Sequence, residues 1–450
     1  MALPQSLRAA PEAVALAVAF PALALHRDYS PDLALDVGQT AVSIGLADLA
    51  LLVVTVAALS ALRRGGSGPL RGALSILVPA ALLLSLVALT ALAGPWLSDE
   101  YPAAEKLVSA AKFLEYAALL VAVPLIVRRR EDARVVVAGV LATGVAATTW
   151  GLLQLIGLLP NVDDVPAGRR MPSFAGYHDF AMISGLSLAL GVAAVALGHP
   201  RAYRAWVAVA VASGTAGAIV AGAVSTVLAL LVGIAFAVVA MWSRHVISWP
   251  RLGVLGAVAL ALLAGSAVMR SGDIADYIGF LGSDETTSAD DVQTYSQRTV
   301  LAYIGFRIFL EHPLAGVGWQ GSELPSNFEP VLGDARERFP EVSAEAFPSD
   351  AHRWGVQNAY VQAAADMGIL GAVAAAWLAL AGVIRAGRAT LATRVRSPQL
   401  ALAAAVAALV CAVEWAALGL VAGVPATAVL WLTLGACIAV GAPPAPPAAE

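Results

Sequence analysis

The sequence predicts an all-α fold: a polytopic membrane helix bundle of about twelve transmembrane helices, with one large extracytoplasmic loop containing short helices. Three observations carry this. Of 450 residues, 59% are hydrophobic and only 13% charged, against roughly 25% charged in ordinary soluble chains. Apolar runs exceed the ~18 residues that mark a bilayer span. Arginines alternate between the connections, as they do where one side of a membrane is cytoplasmic.

The apolar runs fall near residues 12–26, 35–62, 71–95, 105–127, 133–158, 176–198, 203–221, 223–243, 251–269, 357–386, 398–420 and 424–441. The first is read as a retained helix, since no small-residue cleavage site follows it. The stretch 203–243 is divided at Ala221-Gly222-Ala223, because one helix cannot use ~40 apolar residues. The even-numbered connections hold Arg63, Arg64 and Arg71; Arg128, Arg129, Arg130 and Arg134; Arg201 and Arg204; Arg244 and Arg251; and Arg385, Arg388, Arg394 and Arg396. With Arg8 these are 16 of the 27 basic residues. The positive-inside rule then puts both termini in the cytoplasm. The chain divides into nine helices over 1–270, an extracytoplasmic loop over 271–356, three helices over 357–441 and a proline-rich cytoplasmic tail over 442–450, expected to be disordered.

Residues 271–355 hold 14 of the 31 acidic residues and five arginines. Loops this long in compact proteins are usually functional. Thr299–Leu310 is apolar on one side and too short to span, so it reads as an interfacial helix. A net charge of -4 gives no footprint for nucleic acid. Cys411 and Cys437 sit in apolar runs and read as buried thiols. No Asp-x-Asp or similar carboxylate cluster suggests a metal, and nothing suggests a cofactor.

The candidate site residues are polar groups placed at the outer ends of apolar helices. Arg298 heads an amphipathic segment on the outer side. It can grip a diphosphate bidentately or snorkel to lipid headgroups. Arg169 and Arg170 oppose the topology bias, and the same two readings apply to them. The loop's acidity repels anions, so an anionic substrate would need specific arginines. His178 and Asp179 are adjacent and cannot face each other on a helix, which leaves capping or interface bonding for Asp179. Asn358, Gln362 and Asp366, four apart, form one polar stripe. It either marks a site or bonds helix to helix. His352 is a lone loop histidine, solvated or a general base. Lys112 and Glu115 are positioned to pair within a helix, while Glu414 has no evident partner.

Together these segments resemble the bacterial O-antigen ligase and O-antigen polymerase family. The stretch SQRTVLAYIGFRIFLEHPLAGVGWQ is similar to the family's arginine-headed segment leading into a His-Pro-Leu-x-Gly-x-Gly turn. QNAYVQAAADMGILG is similar to its His-Asn, nine residues, Gly-x-x-Gly pattern, with Asn358, Gly368 and Gly371 in register. RRMPSFAGYHDFAMISGLSLAL and AGAVSTVLALLVGI are weaker echoes. This chain has Gln357 where the family has histidine, Ser225-Thr226 where it has Ser-Arg, and His178-Asp179 where it has Pro-Asn.

The resemblance implies an inverting, metal-independent membrane glycosyltransferase of cell-surface polysaccharide biosynthesis. Its donor would be a polyprenyl-diphosphate-linked glycan, and its acceptor a glycan or glycolipid hydroxyl outside the membrane. Arg169, Arg170 and Arg298 would hold the diphosphate. Gln357, Asn358, Gln362 and Asp366 would line the substrate site. His352 would replace the missing base, since glutamine cannot accept a proton. Competing readings are a transporter or flippase of lipid-linked glycans, and a non-catalytic membrane component of an envelope assembly complex.

Overall fold

A computed structural model describes residues 11–37, 40–97, 100–160, 170–271, 294–349, 352–393, 395 and 397–441. The expected Arg169 and the 442–450 tail lie outside these residues. Fifteen α-helices follow in order: α1 Pro11–Leu23, α2 Leu46–Gly65, α3 Leu74–Leu97, α4 Ala103–Tyr116, α5 Ala118–Ile126, α6 Arg130–Leu155, α7 Tyr177–Leu197, α8 Arg204–Ala221, α9 Val224–Ser243, α10 Trp249–Met269, α11 Thr294–Glu311, α12 Pro325–Arg338, α13 Ala359–Leu391, α14 Pro398–Glu414 and α15 Val424–Val440. Among the described residues, nine helical segments are long and apolar enough to cross a membrane, with α4 and α5 counted as one. Three shorter apolar helices, α1, α14 and α15, bring the bundle to the expected size.

Two expected boundaries move. The run 35–62 is helical only from Leu46; before it, Asp32–Val37 and Thr40–Gly45 pair as an antiparallel hairpin. Val37, Thr40, Val42 and Ile44 are β-branched, and Asp36 interrupts the run, so the sequence there suits extended chain better than a lipid-facing helix. The run beginning at 357 continues to Leu391 but breaks at Gly368, whose φ is 67° and ψ -163°.

α7 is the most enclosed of the long helices, with 78% of its span buried. It crosses α8 closely because Gly191 and Gly214 leave no side chain at the contact. A Cβ on Gly214 would come within 2.5 Å of the Leu188 backbone nitrogen. Small residues at such crossings let backbones approach where lipid gives no hydrophobic drive. Trp96 and Trp249 are 85% and 86% exposed at or near helix ends, as in the aromatic belts at membrane surfaces.

Between α10 and α13 the chain builds a second, small core. Val300, Ile304 and Ile308 of α11 pack on Phe328, Val331 and Ala335 of α12. Arg307, which interrupts α11's apolar side, pairs with Asp334 of α12, and Tyr303 donates to the same carboxylate at 2.8 Å. The expected interfacial helix is therefore longer than its apolar segment. One of its faces is used by the loop's own core, while Phe306 and Leu310 stay exposed.

Candidate functional site

The N-terminal ends of α7, α9 and α13 meet the C-terminal end of α14 at one end of the bundle. They enclose a cavity of about 480 Å³ with Arg170, His178, Ser225, Arg270, Arg298, Gln357 and Asn358 in its wall. Three helix N-termini lie at this region, and the positive ends of their dipoles favour an anion there. Three guanidinium groups in the wall add to that field.

At the centre is a chain of side chains from four helices and one loop. Arg298 Nε donates to Gln357 Oε1 at 3.1 Å. Arg298 Nη2 lies 2.6 Å from His178 Nε2, and His178 Nδ1 lies 2.8 Å from Glu414 Oε2. The other oxygen of Glu414 accepts from Ser225 Oγ and Thr226 Oγ1, both at 2.5 Å. An arginine can only donate, so Nε2 must accept and the imidazole proton sits on Nδ1, directed at Glu414. Glu414 is fully buried. A carboxylate there needs partners on both oxygens, and the network supplies them.

Arg170 stacks on the Tyr177 ring, 4.5 Å from its centroid. Gly222 ends α8 with φ 63°, and a Cβ there would meet Arg170 Cβ at 2.7 Å. The glycine thus serves both the left-handed turn and the close approach of the arginine-bearing strand.

The polar stripe of α13 separates by role. Asn358 caps the helix, accepting from the Tyr360 and Val361 amides at 3.1 Å. Its position in the cavity wall comes with that cap. Gln362 is buried and accepts from the Leu420 amide at 2.7 Å. Asp366 is buried and accepts from the Gln320 and Ser322 amides, each at 3.0 Å. Neither Gln362 nor Asp366 lines the cavity.

The two glycine-rich segments form one joint around Asp366. The kink at Gly368 releases the carbonyls of Ala365 and Asp366, which accept from the Val317 and Gly318 amides at 3.0 Å. A Cβ on Gly316 would lie 2.3 Å from the Asp366 backbone. The His-Pro-Leu-Ala-Gly-Val-Gly turn therefore docks into the helix break. Nearby, Tyr101 donates to the Trp319 carbonyl at 2.7 Å, and Lys106 meets Glu323 at 3.2 Å. Burial pushes the Glu323 carboxyl above its ordinary value, against the opposing pull of Lys106.

His352 is exposed, stacks on Trp354 with centroids 5.7 Å apart, and is absent from the cavity wall. The structure thus brings Arg170, Arg298, Gln357 and Asn358 together and leaves His352, Gln362 and Asp366 outside. His178, Glu414, Ser225 and Arg270 were missed as a group. The sequence signals were an isolated glutamate inside an apolar helix and a histidine at a helix start; what joined them is visible only in three dimensions. Asp179 accepts from the Ala426 amide at 2.6 Å, in the first turn of α15. Lys112 pairs chiefly with Asp48, at 2.5 Å, and reaches Glu115 only at 3.9 Å.

Residues 181–376 match the family model described as O-antigen ligase. The matched region runs from α7 into α13 and contains Ser225, Arg298, Gln357, Asn358 and the Gly316–Gly368 joint; Arg170, His178 and Glu414 lie outside it. A search of curated proteins gives no match.

Proposed function

From the match of residues 181–376 to the O-antigen ligase family model, we propose that this chain is a membrane glycosyltransferase. It moves a glycan from a polyprenyl diphosphate to an acceptor hydroxyl outside the cytoplasmic membrane. The observation that carries this reading is the cavity itself. Arg170, Arg270 and Arg298 share its wall with His178, so a phosphate grip and a proton acceptor stand side by side.

In this reading the diphosphate takes Arg298 as a bidentate partner, with Arg170 and Arg270 adding charge. Arg298 Nη2 donates to His178 Nε2. Turning to the phosphate, it frees that lone pair. The acceptor oxygen then bonds to the anomeric carbon, on the face opposite the diphosphate. The bond from that carbon to the diphosphate oxygen breaks, and its electron pair leaves with the phosphate. The acceptor's proton passes to His178 Nε2, and Glu414 stabilises the imidazolium that forms. Gln357 keeps Arg298 in register. We assign the base to His178 rather than His352, because His178 alone of the two lines the cavity. The arginine alternation supports placing this end of the bundle outside the cytoplasm.

The test is reconstitution. Purified protein in liposomes is given a polyprenyl-diphosphate-linked glycan and membranes from the producing cell as acceptor. Glycan attached to acceptor, with release of polyprenyl diphosphate, supports the proposal. Donor carried across the bilayer with no new glycosidic bond favours the flippase reading instead.

A further inference from the structure

A second cavity, of about 230 Å³, lies on another side of His178. His26, Asp28, Tyr29, Tyr177 and Asp179 are in its wall, and His178 is the one residue its lining shares with the arginine-lined cavity. Their chemistry differs. Among the described residues, the larger cavity's wall has three guanidinium groups and no carboxylate, and the smaller's has two carboxylates and no arginine or lysine. Asp28 pairs with His26 and Arg27 and Asp179 accepts from the Ala426 amide, so the wall offers a diphosphate no guanidinium grip, whereas a neutral polyhydroxylated group is well served. Carboxylates accept from sugar hydroxyls, a histidine can accept or donate, and a tyrosine adds both a ring face and a hydroxyl.

The wall is built rather than accidental. The His26 amide donates to the Phe174 carbonyl at 2.9 Å, tying the segment after α1 to the segment before α7. Tyr29 stands edge-on to Trp150, 5.9 Å between centroids, and its hydroxyl accepts from Gln154 Nε2 at 3.4 Å. Asp28 is paired with His26 at 3.0 Å yet is more than a third exposed, so the pocket has a wet mouth. Gly176, with φ 101°, keeps the floor open: a Cβ there would lie 2.7 Å from Asp179 Oδ2.

We infer that this smaller cavity is the acceptor subsite, binding the hydroxyl-bearing sugar of the acceptor against His26, Asp28 and Tyr29. The inference rests on the glycosyltransferase reading above. It gives each substrate its own chamber, chosen by charge, with one imidazole in the partition. The accepting Nε2 faces Arg298 on the larger side, so the acceptor's hydroxyl must reach past the imidazole edge to hand over its proton, while the rest of its sugar stays in the smaller cavity.

The experiment uses the full-length chain with Asp28→Asn, which removes the charge, and Ala422→Phe, which fills the pocket with bulk. Two readouts are taken: transfer to acceptor in membranes of the producing cell, and binding of undecaprenyl diphosphate to the purified variants by native mass spectrometry. Both variants should bind undecaprenyl diphosphate within about twofold of wild type, and this also shows that they are folded. Transfer should fall by roughly tenfold or more, a loss of about 1.4 kcal/mol in transition-state stabilisation. Wild-type transfer by both variants overturns the assignment. So does a loss of undecaprenyl diphosphate binding equal to that in Arg298→Ala in either variant whose melting temperature matches wild type, which would make the pocket part of the donor site. If the wild type itself transfers nothing, the glycosyltransferase reading fails, and the acceptor assignment goes with it.

Discussion

Arg298 Nη2 lies 2.6 Å from His178 Nε2, so the guanidinium donates to the nitrogen that a base would use. Two residues 120 positions apart thus form one unit, with Glu414 behind the imidazole at 2.8 Å. The arrangement fixes the imidazole's orientation, with its proton on Nδ1 toward Glu414. On the proposed reading, a phosphate that draws Arg298 away releases the imidazole lone pair.

The first expected outcome concerns the base. His178→Ala should lower glycan transfer by about 10²-fold or more, the range for losing a general base. His352→Ala should change it by less than about threefold. Removing His178 leaves Glu414 buried with one oxygen unpartnered, which is destabilising by roughly 1–3 kcal/mol or more. The double variant His178→Ala/Glu414→Gln removes that charge and separates folding from chemistry. An inactive His352→Ala beside an active His178→Ala would return the base to the loop.

Topology gives the second. A tag placed near Asp334, in α12, should be reached only from outside the cytoplasm, and the N-terminus only from inside. Protease protection in oriented vesicles measures both. Cleavage at Asp334 from the cytoplasmic face would invert the whole account.

The third concerns the joint between loop and bundle. Asp366→Ala removes the acceptor for two buried amides, at 3.0 Å each. Hydrogen bonds to charged groups contribute roughly 1.5–3 kcal/mol, so the variant should lose several kcal/mol of loop docking and become protease-sensitive between α10 and α13. Asp366→Asn keeps one acceptor oxygen and should be milder. Gly316→Ala should be as severe as Asp366→Ala, because its Cβ would overlap the α13 backbone.

The fourth is a pH dependence. Glu323 is buried and its carboxyl is raised above the ordinary 4.5. A carboxyl raised in the folded state binds more protons folded than unfolded, so its contribution is full in acid and is lost as pH rises through the folded value. The melting temperature of wild type minus that of Glu323→Gln should therefore be largest near pH 4.5 and shrink toward neutrality. A difference that grows with pH would show that the Lys106 pair outweighs burial.

The spans were legible because lipid demands long apolar helices and the translocation machinery reads arginine, and both leave marks in composition. The hairpin at Asp32–Gly45 was hidden inside an apolar run, since hydropathy does not separate a β-branched strand from a helix start. Arg170 and Arg298 were legible as charges out of place. The α13 stripe was legible as a pattern but not as roles. Four-residue spacing shows that Asn358, Gln362 and Asp366 share a face, not that one caps, one holds the 414–424 connection and one holds the loop. Glu414 and His178 stayed unreadable because each is ordinary alone. Only the fold places a helix end from near one terminus against a helix start 236 residues earlier.

The most direct measurement is glycan transfer from a polyprenyl-diphosphate donor in liposomes by wild type, Arg298→Ala and Arg298→Lys, scored beside undecaprenyl diphosphate binding. The account predicts that Arg298→Ala loses roughly 10²-fold in rate, about 2.7 kcal/mol of transition-state stabilisation, and weakens binding. Lysine should rescue only in part, because it keeps the charge and lacks the planar fork. Full transfer and full binding by Arg298→Ala would contradict the account and leave this arginine a support for His178 and Gln357.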